Sequence, residues 1–134
     1  MITTSRFSEV LRGVLMHPTR GVTGLVADLL TVCQEYGLQL EWDADRCRVR
    51  SFRSDCEEWI DVPLRKSVIR AILARVAVLC IERNPDSVSL YGGQGELSAG
   101  TNPSALFRVV FLNTPSEQKL ELSLKDPSAS GSSP

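Results

Sequence analysis

Apolar residues near the start of the chain recur at helical spacing in two consecutive segments. The first segment ends before Pro18, because the residue that precedes a proline avoids the α region. The second begins at about Val22, and Gly37 stands where a glycine commonly ends a helix. The pattern predicts two helices, with apolar stripes at Phe7, Val10, Leu11, Val14 and Leu15 and then at Val22, Leu25, Val26, Leu29, Leu30, Cys33 and Tyr36.

The apolar period then changes from helical spacing to two. Leu38, Leu40 and Trp42 alternate with polar residues, which is typical of a strand with one buried face. We expect Trp42 to be buried and Glu41 exposed. A turn at residues 43–46 leads into a second strand at 46–53, and a short third strand follows at 58–62.

A third helix is predicted from Pro63, a residue that is well suited to the first helical position. This helix is apolar nearly all round toward its end, so we expect it to be central and covered on more than one side. Four strands follow, at 87–91, 96–99, 105–112 and 119–124, joined by short turns that include the glycine-rich segment 92–95.

The predicted element order is ααβββαββββ, an α+β fold in which two antiparallel β-meanders pack against helices. We expect residues 1–124 to form one domain and 125–134 to form a disordered polar tail. The chain has 134 residues, enough for a core without disulfides or metals. Its start lacks the pattern of a signal peptide, and no apolar run is long enough to span a bilayer, so we expect a cytoplasmic protein.

The charge balance disfavours a dedicated nucleic-acid binder. The chain has 15 basic and 16 acidic residues, whereas such binders usually carry a basic excess. The four cysteines are too widely spaced for a typical zinc site, and we expect free thiols, with Cys33, Cys47 and Cys80 buried. The sequence therefore predicts no metal and no cofactor.

Candidate catalytic residues are weak. Cys56 and His17 are the possible nucleophile and base, but both lie in predicted loops, and nothing in the sequence brings them together. The acids Asp43 and Asp45, like Glu57 and Glu58, lie in or beside polar turns, where solvated carboxylates are ordinary. The glycines at 92–95 precede a predicted strand rather than a helix, which favours a turn over a phosphate-binding loop.

Three arginines alternate along the second strand, and we regard Arg46, Arg48 and Arg50 as possible binding residues. An anion or nucleic acid could bind them, with Tyr91 or Phe52 available for stacking. The alternative is a charge-matched sheet face. A hairpin closed at 43–46 places Glu41 opposite Arg48 and Gln39 opposite Arg50, and this alternative is favoured.

No convergent catalytic set can be assembled from these residues. The favoured hypothesis is therefore a non-catalytic protein-interaction or adaptor domain. A small enzyme with a cysteine or carboxylate site and an anion or nucleic-acid binder are the alternatives. Val110 and Leu112 lie on the opposite face of their strand from Phe107, Val109 and Phe111, and both faces are apolar enough to need cover. We therefore expect the partner to be a protein, with a second copy of the chain as a candidate, and no membrane.

Overall fold

The computed structural model describes residues 9, 11–14, 21–51, 59–99 and 105–125. Within these residues, 9 and 11–14 are helical, and two complete helices follow, α1 at Gly21–Tyr36 and α2 at Lys66–Arg83. The strands are β1 (Leu38–Asp43), β2 (Arg46–Arg50), β3 (Ile60–Val62), β4 (Val88–Ser89), β5 (Gly92–Ala99), β6 (Ala105–Asn113) and β7 (Gln118–Leu124). This order confirms the α+β fold expected from the sequence.

The seven strands form one antiparallel sheet in the order β3-β2-β1-β7-β6-β5-β4. Each predicted meander is a continuous block, and the two blocks meet where β1 pairs with β7. The hairpin between β1 and β2 has the predicted register, with Trp42 opposite Cys47 and Glu41 opposite Arg48. Ala44 and Asp45 have φ angles of 52° and 65°, as a two-residue turn between twisted strands requires.

Both helices pack on one face of the sheet. The alternate residues of β6 that point toward them, Phe107, Val109 and Phe111, are buried with Leu120 and Leu122 of β7. Cys47 and Val49 of β2 lie in the same core and are 0% exposed. Trp42 points to this face but is only partly buried, and Glu41 on the other face is partly buried beside Arg48. None of the described helices is long and apolar enough to cross a bilayer.

The ends of α1 and α2 follow from local geometry. Gly37 has a φ of 69° and donates its N–H to the Cys33 carbonyl, which ends α1 as predicted. The prediction that Pro63 begins α2 is wrong. Val68 and Ile69 both donate to the Arg65 carbonyl, so the helix begins at Lys66 after an extended residue at Arg65.

α2 is covered on two sides, as expected for an apolar helix. It contacts α1 and most of the sheet, and Ile69, Ile72, Leu73 and Val76 are fully buried. Arg70 donates from Nε to Oδ1 of Asn113 at 3.1 Å, and the Asn113 amide returns a bond to the Arg70 carbonyl, which satisfies a buried polar side chain. On its outer side, Ala74 and Val78 remain exposed.

The glycine-rich segment is a strand rather than the predicted turn. β5 begins at Gly92, and the turn lies one step earlier, at Leu90 and Tyr91. The glycines permit close approach: a Cβ at Gly93 would lie 3.1 Å from Val88, and one at Gly92 would lie 2.9 Å from the Phe111 carbonyl oxygen. Gly92 and Gly93 also have φ angles of 154° and 143°, which side chains rarely adopt.

Other predicted bounds differ by a few residues. β2 ends at Arg50 rather than 53, and β4 is reduced to Val88–Ser89. The predicted tail, 125–134, lies outside the described residues except for Lys125, which still donates its N–H to the Leu106 carbonyl of β6.

Candidate functional site: the open face and edge of the sheet

The face of the sheet that points away from α1 and α2 is covered by no described helix or strand, and we call it the open face; its two halves differ. We call the open-face residues of β1, β2 and β3 the arginine half, and those of β4, β5 and β6 the glycine half. β7 separates them and carries Lys119 and Glu121 on this face, with Glu121 directly opposite Val110 of β6.

The arginine half contains the three predicted arginines, and two of them have carboxylate partners. Arg48 contacts Glu41 and lies 3.5 Å from Asp43, and Arg46 lies 3.3 Å from Asp61. The hydrogen bond from Arg48 to Glu41 raises the pKa of Arg48, which keeps its guanidinium charged. This arrangement is the charge-matched face that the sequence favoured.

Arg50 donates to the side-chain oxygen of Gln39 and has no carboxylate partner among the described residues. Its guanidinium carbon lies 4.5 Å from the centre of the Trp59 ring, and that of Arg48 lies 4.8 Å from it. Trp59 therefore contacts two cations. Sequence reasoning missed this residue and proposed Phe52 or Tyr91 for stacking. Trp59 lies two positions before Asp61, which is opposite Arg48 in β3. Because residues two positions apart in a strand lie on the same face of the sheet, this spacing could have placed Trp59 beside the arginines.

The glycine half exposes apolar side chains that have no counterpart in the arginine half. Val110 in β6 is 40% exposed, and Leu112 beside it is half-buried. Tyr91 and Leu90, in the turn before β5, are 65% and 53% exposed. They lie near the Leu112 end of β6, because the Tyr91 carbonyl accepts the Asn113 N–H. The structure thus places Tyr91 away from the arginines with which it was grouped.

A groove of about 950 Å³ lies where the glycine half reaches the edge of the sheet. It exists because β4 pairs only with Gly92 and Gly93, which leaves the outer side of β5 from Gln94 onward without a neighbour among the described strands. The groove is lined by residues from the end of α2, from β5 and from β6, including Arg83, Asn84, Ser87, Gln94, Glu96 and Arg108.

Cations outnumber carboxylates around this groove. Glu96 contacts Lys125 at 3.1 Å and Arg83 at 3.8 Å. Arg108 is directly opposite Glu96 in the next strand, yet it makes no ion pair with a described carboxylate. One carboxylate and three cations therefore lie at or beside this groove, and the carboxylate pairs with only two of them.

A second, smaller groove of about 310 Å³ lies between α1 and α2. Ser98 of β5 lies on one side of it, and Arg75 and Leu79 of α2 lie on another, together with residues of α1.

The described thiols do not have the properties of nucleophiles. Cys33, Cys47 and Cys80 are free and buried, as predicted. Burial raises the pKa of Cys47 to about 12 and that of Cys80 to about 11, and raises the pKa of Cys33 as well. Such thiols are almost fully protonated at neutral pH.

The remaining candidate catalytic residues are not brought together. Asp43 and Asp45 lie at the exposed β1–β2 turn, where Asp43 contacts Arg48. His17, Cys56, Glu57 and Glu58 lie outside the described residues. Within the described residues, no group of three or more His, Cys, Asp or Glu side chains could hold a metal ion.

No known family model matches the chain, and no curated protein is significantly similar to it in sequence. Its function is therefore inferred from its own surfaces.

Proposed function

We propose that this protein is a non-catalytic protein-interaction domain whose open sheet face docks a partner, and that a second copy of the chain is one such partner. The observation that carries this proposal is the exposure of Val110, with Leu112 half-buried beside it, on the face that the helices leave uncovered. Burial of apolar surface contributes about 25 cal/mol per Å², so covering these side chains favours association.

The charges around Val110 suit a self-complementary contact. Lys119 and Glu121 lie in β7, on one side of Val110. Arg108 lies in β6 itself, and Glu96 lies opposite Arg108 in β5, so charges of both signs border the apolar residues. The net charge of the chain is -1, so two copies repel each other weakly. Closed two-fold pairing is also the commonest arrangement of soluble oligomers.

A non-catalytic role is supported by the chemistry of the described residues. The buried thiols are held protonated, and of the acids considered as catalytic residues, Asp43 contacts Arg48 and Asp45 lies at the exposed β1–β2 turn. The anion-binding alternative has one observation in its favour, the contact of Arg50 and Arg48 with Trp59. Anion binding is less favoured because this surface has no net positive charge. Its three arginines are accompanied by three carboxylates, those of Glu41, Asp43 and Asp61.

The test is self-association measured by sedimentation equilibrium from micromolar to submillimolar concentration. The wild-type protein should show a dimer fraction that rises with concentration. Val110→Lys should remain monomeric, because it places a charge in the apolar contact, while the opposing Glu121 keeps the monomer stable.

Val78→Lys is the matched control. Val78 is 37% exposed, close to the exposure of Val110, but it lies on α2 in the other layer. This variant should associate as the wild type does. A wild-type protein that stays monomeric at every concentration, or a Val78→Lys variant that dissociates as fully as Val110→Lys, would contradict the role of the open face.

A further inference from the structure

We propose that two copies of the chain pack their open faces together with the strands crossed at about 90°, so that Arg108 of each copy pairs with Glu121 of the other. This inference rests on the self-association proposed above and deepens it by naming the contact that sets the geometry of the dimer. It gives a role to two opposite charges beside Val110 that form no ion pair within the described part of the chain.

The two charges lie in different directions from Val110. Glu121 is directly opposite Val110 in β7, and Arg108 lies two positions before Val110 in β6. Both side chains are exposed. Glu121 accepts a hydrogen bond from Gln39 but contacts no described cation, and Arg108 contacts no described carboxylate. The acid is therefore reached by moving across the strands, and the base by moving along one of them.

The strand registers arrange the open-face residues around Val110 in three rows, each crossing β5, β6 and β7 in that order. The first row is Gly92, Leu112 and Lys119, the second is Gln94, Val110 and Glu121, and the third is Glu96, Arg108 and Ser123. We call this array the Val110 grid. Its columns are about 4.8 Å apart and its rows about 6.8 Å apart, so exchanging rows with columns superimposes the grid on itself to within about 2 Å.

A two-fold axis between two packed sheets runs parallel to both, and four directions of it through Val110 set grid positions against grid positions. An axis along β6 sets Arg108 against Arg108 of the other copy. An axis across the strands sets Glu121 against Glu121. These two directions give aligned sheets. One of the two diagonals, which cross the strands, sets Lys119 against Lys119 and Glu96 against Glu96. Each of these three directions therefore brings like charges together.

The remaining diagonal exchanges rows with columns. It sets Arg108 of each copy against Glu121 of the other, and Lys119 of each against Glu96 of the other. Of the four directions, this one alone brings opposite charges together, and it leaves no like charges face to face within the grid. Charge complementarity of this kind fixes the orientation of an interface.

The residues on this diagonal allow two sheets to approach. They are Gly92, Val110 and Ser123, so Val110 meets Val110 at the centre and neither end carries a long side chain. Leu90 and Tyr91 lie in the turn beside Gly92 and are 53% and 65% exposed. The exposed apolar residues of the glycine half therefore lie along the axis of the proposed dimer, where they contact their counterparts.

The two kinds of ion pair in this arrangement are not equal. Lys119 already contacts Glu117 at 3.0 Å, and Glu96 already contacts Lys125 at 3.1 Å. A pair between Lys119 and Glu96 across the dimer competes with these contacts. The other pair joins two charges that have no described partner of opposite sign, so the experiment is directed at that pair.

The test is a charge exchange followed by sedimentation equilibrium. Arg108→Glu sets carboxylates against each other at both facing positions, and Glu121→Arg does the same with guanidinium groups. Each variant should raise the dissociation constant of its homodimer by about tenfold or more, because two ion pairs are replaced by two like-charge contacts. Both positions are exposed, so the melting temperatures should stay close to that of the wild type.

Restoring the opposite charges should restore association. In an equimolar mixture of Arg108→Glu and Glu121→Arg, each facing position of the mixed dimer joins a carboxylate to a guanidinium, so this dimer should form about as tightly as that of the wild type. The double variant, Arg108→Glu with Glu121→Arg, should form a homodimer of similar stability for the same reason.

Arg65→Glu and Glu82→Arg are the matched controls. They change the net charge by the same amounts, but both are exposed residues of the helix layer. Each should dimerise as the wild type does, and mixing them should leave the dissociation constant unchanged. This comparison separates a contact between specific charges from an effect of net charge.

Two kinds of failure can be distinguished. Wild-type dimers whose dissociation constant is unaffected by Arg108→Glu and Glu121→Arg, or is raised equally by the controls, would overturn the crossed arrangement alone. Loss of association in both single variants without recovery in their mixture would do the same. A wild-type protein that is monomeric at every concentration would overturn the self-association and the crossed arrangement together.

Discussion

The two halves of the open sheet face rest on one continuous core but meet the solvent in different ways. In the arginine half, Arg46 and Arg48 contact carboxylates on neighbouring strands, and Trp59 lies against the guanidinium groups of Arg48 and Arg50. In the glycine half, Val110 is exposed and Arg108 has no described carboxylate partner. The first surface contacts its own arginines with acidic, amide and aromatic side chains, whereas the second leaves apolar area and positive charge available.

The difference shows that a conspicuous charge pattern in the sequence can be largely matched within the sheet itself. Three alternating arginines are the most unusual local feature of the sequence, yet two of them are engaged within the sheet. The surface that remains available depends on β4, which is so short that most of β5 is left as an edge.

The largest effect should come from breaking the core that both halves share. Val49→Asp places a charge at a position that is 0% exposed, and it should lower the free energy of unfolding by about 3–5 kcal/mol, as an uncompensated buried charge does. Val110→Asp, on the open face, should change it by less than about 1 kcal/mol. Urea denaturation measures both. Equal losses in the two variants would mean that the faces are wrongly assigned.

A smaller effect should appear at high pH, because Cys47 lies beneath the arginine half. Its pKa is raised from 9.0 to about 12, so the folded state binds the proton more tightly than the unfolded state. The stability that this provides is complete below about pH 9 and is lost as the pH rises toward 12. At pH 10 the loss is about 1.4 kcal/mol for this thiol.

Cys47→Val removes the titrating group while keeping a β-branched apolar side chain. Thermal melts of this variant should therefore lose less stability between pH 8 and pH 10 than those of the wild type. Cys33 and Cys80 still titrate in the variant, so part of the loss should remain. Identical losses in the two proteins would show that Cys47 is not shielded from solvent.

The smallest expected effect is a difference in melting temperature between one variant in the arginine half and one in the glycine half. Arg48→Gln removes a cation that contacts Glu41 and Asp43, so the melting temperature should fall by a few degrees. Arg108→Gln removes a cation that has no described carboxylate partner, so the melting temperature should hardly change. Differential scanning calorimetry compares the two. A larger fall for Arg108→Gln would reverse the assignment of the matched and unmatched halves.

Much of the fold could be predicted because local patterns are decisive where one face is buried. The alternation of Leu38, Leu40 and Trp42 and the turn at residues 43–46 were sufficient for the β1–β2 register, including the pairing of Glu41 with Arg48. Gly37 marked the end of α1 because its positive φ is a local property. Both features depend on residues that are close together in the sequence.

The prediction was wrong where tertiary contact sets the structure. Gly92 and Gly93 were predicted to form a turn, but they are strand residues at which Phe111 and Val88 approach too closely for a side chain. These close contacts arise from strand pairing, which the local sequence pattern does not show. Which edge of the sheet is left uncovered could not be predicted for the same reason. The outer side of β5 can be recognised as uncovered by the described strands only once the strand order and the short β4 pairing are known.

The pairing of β1 with β7 has a consequence for the speed of folding. Each meander is built from neighbouring strands and can form through short loop closures, but the seam between them joins Gln39 to Glu121, 82 positions apart. The entropy lost in closing so long a loop must be overcome before the central contacts contribute, and chains dominated by such pairings fold slowly. Until the last strand is in place, each half of the sheet has an uncovered inner edge, and this interval is when the chain is most exposed to pairing with other chains.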